Sequence, residues 1–366
     1  MAVSLNSRSQ TGNALKGRGV VSNWSGRYEQ LTTELIDDGW NEEGEIEPPK
    51  LRTTLTKDTT RTIIARNASP DVPFDRSINP YRGCEHGCVY CFARPTHAYL
   101  GLSPGLDFET KLFFKPEAAR LLERELRKPN YDCQVMAMGT NTDPYQPAEK
   151  SLRLTRSILE VLSAFNHPVG IVTKSALVLR DLDILGPMAE KGLAQVCVSV
   201  TTLDRRLANR LEPRAATPTL RIETIRALAD AGVPCGVMAA PMIPALNDAE
   251  LETILSAGKD AGATIASYIL LRLPLEISGL FEEWLETHVP NRAKHVMNLV
   301  RGARGGKSYD SAYGQRMSGT GEYAAMLRKR FEIAVARLGL NPQDRNRLDT
   351  TQFRPPLAKD GQMSLF

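Results

Sequence analysis

The stretch NPYRGCEHGCVYCFAR, residues 79–94, places Cys84, Cys88 and Cys91 within eight positions. Thiolates hold zinc or iron–sulfur clusters, and a structural site of either kind normally takes four protein ligands. Three thiolates on a [4Fe–4S] cube cap three irons and leave one open. An open position is what separates a catalytic metal site from a structural one. The alternative is zinc with His86 as fourth ligand, two residues from both Cys84 and Cys88. Cys133, Cys197 and Cys235 stand singly inside apolar runs and read as core packing. Six cysteines in 366 residues are too few for a disulfide scaffold and suit a reducing compartment.

Such a cysteine loop needs elements that hold it. Apolar, β-branched-rich runs occur at Cys133–Met138, Val169–Val172, Val196–Val200, Cys235–Ala240 and Ala266–Leu271, each followed by a helix-period segment. Leu154, Ile158, Leu162 and Phe165 define one apolar helix face, as do Leu251, Ile254, Leu255 and Gly258. Thr217-Pro218 is a helix start, Asn247 with Glu250 has the spacing of a capping box, and Gly232 and Gly262 are helix stops. With a first strand near Arg76–Pro80, the chain contains six βα units. Six is short of the eight that close a full barrel, so the expected fold is α/β, a partial, open-sided (β/α)6 barrel. A doubly wound parallel sheet is the second choice. In either, loops at the strand C-termini build the site, and the three cysteines follow the first strand on that face.

Four regions are expected. Residues 1–60, rich in Ser, Thr, Gly and charge, form a flexible extension that partly wraps the core. Residues 61–291 form the barrel, 292–340 a basic helical segment with a helix near Gly321–Leu338, and 341–366 an extended tail. The net charge is +4, with a basic surplus after Arg292 on a mildly acidic body. The first thirty residues lack the apolar core of a secretory signal, and the most apolar stretch, Val233–Leu246, is broken by three prolines. It falls short of the roughly 20 residues that span a bilayer. A soluble, cytoplasmic protein without membrane contact is expected.

The motif C-x3-C-x2-C after the first strand of a (β/α)6 pattern resembles the signature of the radical S-adenosylmethionine superfamily. Its wider context, PYRGCEHGCVYCFAR, is similar to an uncharacterised bacterial branch close to the spore photoproduct lyases. The resemblance implies a barrel of radical SAM type, a [4Fe–4S] cluster on Cys84, Cys88 and Cys91, and S-adenosylmethionine on the open iron. It also implies an external one-electron donor and a 5′-deoxyadenosyl radical that abstracts hydrogen. Position by position, it puts Tyr90 near the adenine and Gly139, Thr140 and Asn141 at the methionine amino group. Lys174 falls at the methionine carboxylate, and Ser199 and Thr201 at the ribose hydroxyls. Thr140 stands where the lyases carry a hydrogen-donating cysteine, so that donor is missing here. Asp143, Tyr145 and Tyr268 are candidates for substrate-side roles.

The basic segment suits a phosphate-rich partner, because Lys and Arg that displace counterions supply sequence-independent affinity. Nucleic acid is therefore the expected partner, and the resemblance to the spore photoproduct lyases implies DNA repair or modification as the setting. Two alternatives stay open: a radical enzyme acting on a protein or small molecule, and a non-catalytic zinc or iron–sulfur protein that binds nucleic acid. The final residues, Gln362-Met363-Ser364-Leu365-Phe366, resemble the bacterial sliding-clamp-binding motif. That resemblance implies a hydrogen bond from the Gln362 amide at one pocket, with Leu365 and Phe366 filling an apolar one.

Overall fold

Val169, Ile171 and Thr173 are buried while Gly170 and Val172 between them are half-exposed; Ala194, Val196 and Val198 are buried while Gln195 and Cys197 are half-exposed. A period of two with one face sealed and the other partly open describes a sheet covered by helices on one side. The computed structural model describes residues 16–29, 51–343 and 348–357. Its strands are β1 (Thr54–Lys57), β2 (Ile64–Arg66), β3 (Arg76–Ile78), β4 (Tyr81–Arg82), β5 (Lys111–Phe114), β6 (Met136–Met138), β7 (Val169–Thr173), β8 (Ala194–Ser199), β9 (Cys235–Met242) and β10 (Ile265–Leu270).

Seven strands form the main sheet in the order β10-β9-β8-β7-β6-β3-β2. β3 and β6 to β10 are parallel, each pairing with the next along the chain, and β2 lies antiparallel on β3. A doubly wound sheet would reverse its order at a switch point. This one runs in sequence and stays open between β10 and β2, which is the partial barrel. All six expected parallel strands are present. The second starts at Met136 rather than Cys133, because residues 133–135 join no ladder.

Helices Leu154–Ala164, Leu182–Glu190, Pro218–Asp230 and Leu251–Asp260 cover the convex face, burying the apolar positions that their periodicity marks. The Thr217 hydroxyl accepts from the Leu220 N–H at 3.4 Å, with Pro218 in the first turn. The capping box does not form. Asn247 instead accepts from the Ile243 N–H at 2.6 Å and donates to the Thr201 carbonyl at 2.6 Å. Glu250 accepts from the Thr202 hydroxyl and the Leu203 N–H, both at 2.6 Å. Tying β9 to the loop after β8 outweighs a local cap.

A second sheet, β1-β5-β4, braces the cysteine loop from outside; the Cys84 N–H donates to the Phe108 carbonyl at 3.0 Å. The described part of the N-terminal extension is not loose. Val20 is fully buried, and residues 18–24 bond to Glu109, Asp107 and Glu283. The basic helix is present as Gly321–Leu338, but it belongs to the barrel's outer layer: Ala324, Leu327 and Ala334 join the main core. Residues 348–357 run beneath the barrel, where Phe353 packs on Tyr131, Phe165 and His167. No helix among the described residues is long and apolar enough to cross a membrane.

Candidate active site

β3 delivers the chain to Cys84, Cys88 and Cys91 at the C-terminal end of the sheet, with Gly83 turning at φ +79°. Cys84 and Cys88 are buried and Cys91 is half-buried. Burial pushes all three thiols up; Asp143 and the other two cysteines add to this at Cys84, and Glu212 adds to it at Cys88, where Lys174 pulls the other way. Thiolates in this setting form when a bound cation offsets that cost. Backbone N–H groups of Asp143 reach Cys84, and those of Ala93 and Arg94 reach Cys91. Such donors to sulfur are among the groups that tune iron–sulfur sites.

The three thiols feel one another, yet no three His, Cys, Asp or Glu side chains among the described residues converge closely enough for one metal ion. Three cysteine thiols on one loop are the donor type that a [4Fe–4S] cube takes. Among the described residues no Cys3His set converges, and the His86 Nδ1 lies 3.4 Å from the Asp143 Oδ2.

Beside this loop the ends of β6, β7 and β8 bring together the residues expected at S-adenosylmethionine. The Lys174 ammonium donates to the Ser199 hydroxyl at 2.6 Å and lies 5.8 Å from the centre of the Tyr90 ring. Ser199 and Thr201 each donate to the Ala240 carbonyl at 3.0 Å, and the Tyr90 and Thr201 hydroxyls are 3.0 Å apart. Gly139 has φ +85°, and a Cβ there would lie 1.9 Å from the Val172 carbonyl oxygen, so only glycine lets β6 end this close to β7. Thr140 and Asn141 follow on the half-exposed rim.

The three substrate-side candidates take other places. Asp143 is saturated: its carboxylate accepts from the Tyr145 N–H (2.8 Å), the Thr173 hydroxyl (2.7 Å) and the Lys174 N–H (2.7 Å), and faces His86. Burial alone would raise its pKa; His86 and these donors outweigh it and hold the carboxyl below the usual range. Asp143 is thus tied to the Lys174 N–H and the Thr173 hydroxyl at the end of β7. Tyr145 is wholly buried in the core, under the Arg180 guanidinium. Tyr268 points outward with Ala266 and Leu270, its ring 4.8 Å from Phe331 of the outer helix, because alternate residues of a strand face opposite sides. By the same parity Cys197 is a concave-face residue, whereas Cys235 is core.

Two buried ion pairs support the site, and neither shows in the sequence, since each joins residues 9 to 15 positions apart across a fold. Arg94 meets Glu109 at 2.5 Å, and its Nε donates to the Cys88 carbonyl at 2.9 Å. Glu212 meets Arg221 at 2.8 Å, and Arg221 donates to the Ser199 carbonyl at 3.1 Å. Burial opposes the Glu212 charge, but Arg221 and Lys174 outweigh it and keep the carboxyl ionised. The charged residue types in apolar surroundings were visible; their pairing was not.

The radical SAM superfamily model matches residues 78–257. An uncharacterized protein of Mycobacterium tuberculosis is 39% identical over 232 residues, 63% of this chain and 68% of that one. An uncharacterized protein of Methanocaldococcus jannaschii is 27% identical over 221 residues, 60% of this chain and 79% of that one. Among solved structures, spore photoproduct lyase complexed with dinucleoside spore photoproduct superposes with a TM-score of 0.57 at 16% identity, covering 81% of this chain and 84% of that one. A variant of that lyase with bound AdoMet and the same dinucleoside gives 0.55 at 15% identity, covering 78% and 80%. At such identities the likeness is one of fold.

Proposed function

For a chain that belongs to the radical SAM superfamily, and is therefore a radical SAM enzyme using a [4Fe–4S] cluster and S-adenosylmethionine, we propose that the substrate is nucleic acid. The observation that carries the site assignment is the meeting of three thiols on one loop, two buried and one half-buried, with the Lys174 ammonium at the mouth of the concave face. Cys84, Cys88 and Cys91 would hold the cluster, which with S-adenosylmethionine supplies a 5′-deoxyadenosyl radical by one-electron cleavage of the sulfonium. Lys174 takes the methionine carboxylate as a point charge. The close approach at Gly139 presents backbone carbonyls to the methionine amino group, Ser199 and Thr201 face the ribose, and Tyr90 flanks the adenine. Asp143 fixes Lys174, and Glu212 with Arg221 fixes the strand end that carries Ser199.

Nucleic acid is supported by the likeness in fold to a lyase solved with a dinucleoside lesion. The basic segment supports it less than its composition suggests, because Arg301, Arg316 and Arg330 are spent on Glu282, Asp71 and Glu252. DNA repair or modification is the finer reading. The proposed clamp-binding residues Gln362, Leu365 and Phe366 lie outside the described residues. The chain leads toward them from beneath the barrel, where the Arg354 N–H donates to the Phe165 carbonyl, on the face opposite the cysteine loop.

Anaerobic reconstitution tests the site assignment. The wild type is expected to hold about four irons and to release 5′-deoxyadenosine on reduction with S-adenosylmethionine, and Ala at Cys84, Cys88 or Cys91 to abolish both. Stoichiometric zinc without cleavage would overturn it.

A further inference from the structure

We propose that Phe92, Arg272 and Tyr309 form a nucleotide-binding rim at the mouth of the concave face, taking one base and its phosphate from a single strand. This rests on the nucleic-acid reading above and assigns residues to it. Phe92 directly follows Cys91 and exposes 41% of its surface, beside the proposed cluster. β10 ends at Leu270, so Arg272 stands at the same C-terminal mouth. Its guanidinium carbon lies 4.7 Å from the Phe92 ring centre and 5.9 Å from that of Tyr309. The three side chains thus form one stack drawn from the cysteine loop, the end of β10 and the loop before helix Gly321–Leu338.

What singles out Arg272 is its partners. Nη1 reaches the Met317 thioether and Nη2 the Tyr309 hydroxyl, each at 3.4 Å, and the buried Nε has no partner. Thioether and hydroxyl contacts at that length leave most of the guanidinium's hydrogen-bonding capacity unused. No carboxylate pairs with Arg272 among the described residues, unlike Arg301, Arg316 and Arg330 from the same region. Arg304 lies nearby, buried, its Nη1 and Nη2 answered by the Gln315, Leu270 and Leu271 carbonyls while its Nε, like that of Arg272, has no partner. Burial, with the charge of Arg272 beside it, lowers the Arg304 pKa. The neighbouring acid, Asp310, accepts from the Ala312 N–H at 2.9 Å rather than pairing with either arginine.

Two neighbouring cations without a carboxylate partner attract an anion, and a guanidinium matches phosphate oxygens in a bidentate geometry. An exposed ring beside them adds a surface on which any base can stack. An aliphatic phosphate would use Arg272 and leave Phe92 idle; a nucleotide uses both.

The test is fluorescence anisotropy of the full chain with a labelled single-stranded oligonucleotide, with the same oligonucleotide carrying abasic sites as a second probe. Phe92→Ala should weaken binding roughly 5- to 150-fold, the range for losing one stacked base, and Arg272→Ala should weaken it as well. Phe92→Tyr, which keeps the ring, should bind within about twofold of wild type. On the abasic probe Phe92→Ala should lose its effect while Arg272→Ala keeps it. Equal thermal midpoints across the variants separate binding from folding. If wild type binds and both Ala variants bind equally well, the rim is wrong while the nucleic-acid reading stands. If Arg272→Ala alone matters, with intact and abasic probes alike, the ligand is a phosphate without a base contact and the rim is again wrong. If wild type binds no strand at low salt, the nucleic-acid reading fails and the rim with it.

Discussion

Arg94 and Glu109 meet at 2.5 Å with neither side chain reaching solvent, and each holds one side of the same junction. Arg94 grips the Cys88 carbonyl at 2.9 Å, while the Glu109 carboxylate takes the N–H groups of Gly19 and Val20 at 3.0 and 3.2 Å. A Cβ on Gly19 would lie 1.6 Å from the Gly87 carbonyl oxygen, so the N-terminal strap lies directly against the cysteine loop. Breaking one partner of a buried pair costs about 3–5 kcal/mol. Glu109→Ala should therefore lower iron retained after reconstitution and open residues 18–24 to proteolysis. Iron content and cleavage pattern equal to wild type would show that the strap does not support the loop.

Lys174 bonds through its ammonium to Ser199 and through its backbone to Asp143, so its charge is aimed and not mobile. Lys174→Ala should weaken S-adenosylmethionine binding by about 1–3 kcal/mol, the worth of a charge-assisted hydrogen bond. Calorimetry on the reconstituted protein measures this, with iron content unchanged as the control. An affinity equal to wild type removes Lys174 from the carboxylate site.

His167 gives a pH dependence unrelated to the site. Its Nδ1 donates to the Pro168 carbonyl at 3.0 Å, which leaves Nε2 to accept from the Tyr131 hydroxyl at 2.7 Å and selects one neutral tautomer. Burial pushes its pKa down to about 4. The unfolded chain binds this proton near pH 6.5 and the folded one only near 4, so stability rises with pH between those values. Between pH 7 and pH 5 this residue should cost about 2 kcal/mol. Urea midpoints at both pH values for wild type and His167→Gln check it; an equal acid loss in both would show that His167 is not the cause.

Deleting residues 362–366 should abolish binding to a bacterial sliding clamp, with cluster assembly and S-adenosylmethionine cleavage retained. An apolar pair filling a pocket from an extended tether supports affinity on the order of micromolar. Titration of the clamp with both forms decides it, and no binding by the intact chain would end the tether proposal.

The six parallel strands, their order and the helices over them were legible in the sequence because period-two and period-3.6 burial are written locally, in runs such as Val169–Val172 and Leu154–Leu162. The cysteine trio was legible for the same reason, lying within eight positions. Lys174, Ser199 and Thr201 were reachable only by resemblance. What remained hidden depends on direction and on distant partners. One residue of register sends Tyr268 to the outer helix and leaves Ser267 on the opposite face. Asp143 is a bracket because Thr173, Lys174 and His86 converge on it, up to 57 positions away. The strap at Gly19, 90 residues from Glu109, and Arg272 beside Phe92 exist only once the chain has closed on itself. Local periodicity decides which elements form; long-range packing decides which polar groups are left facing one another, and those contacts make the site.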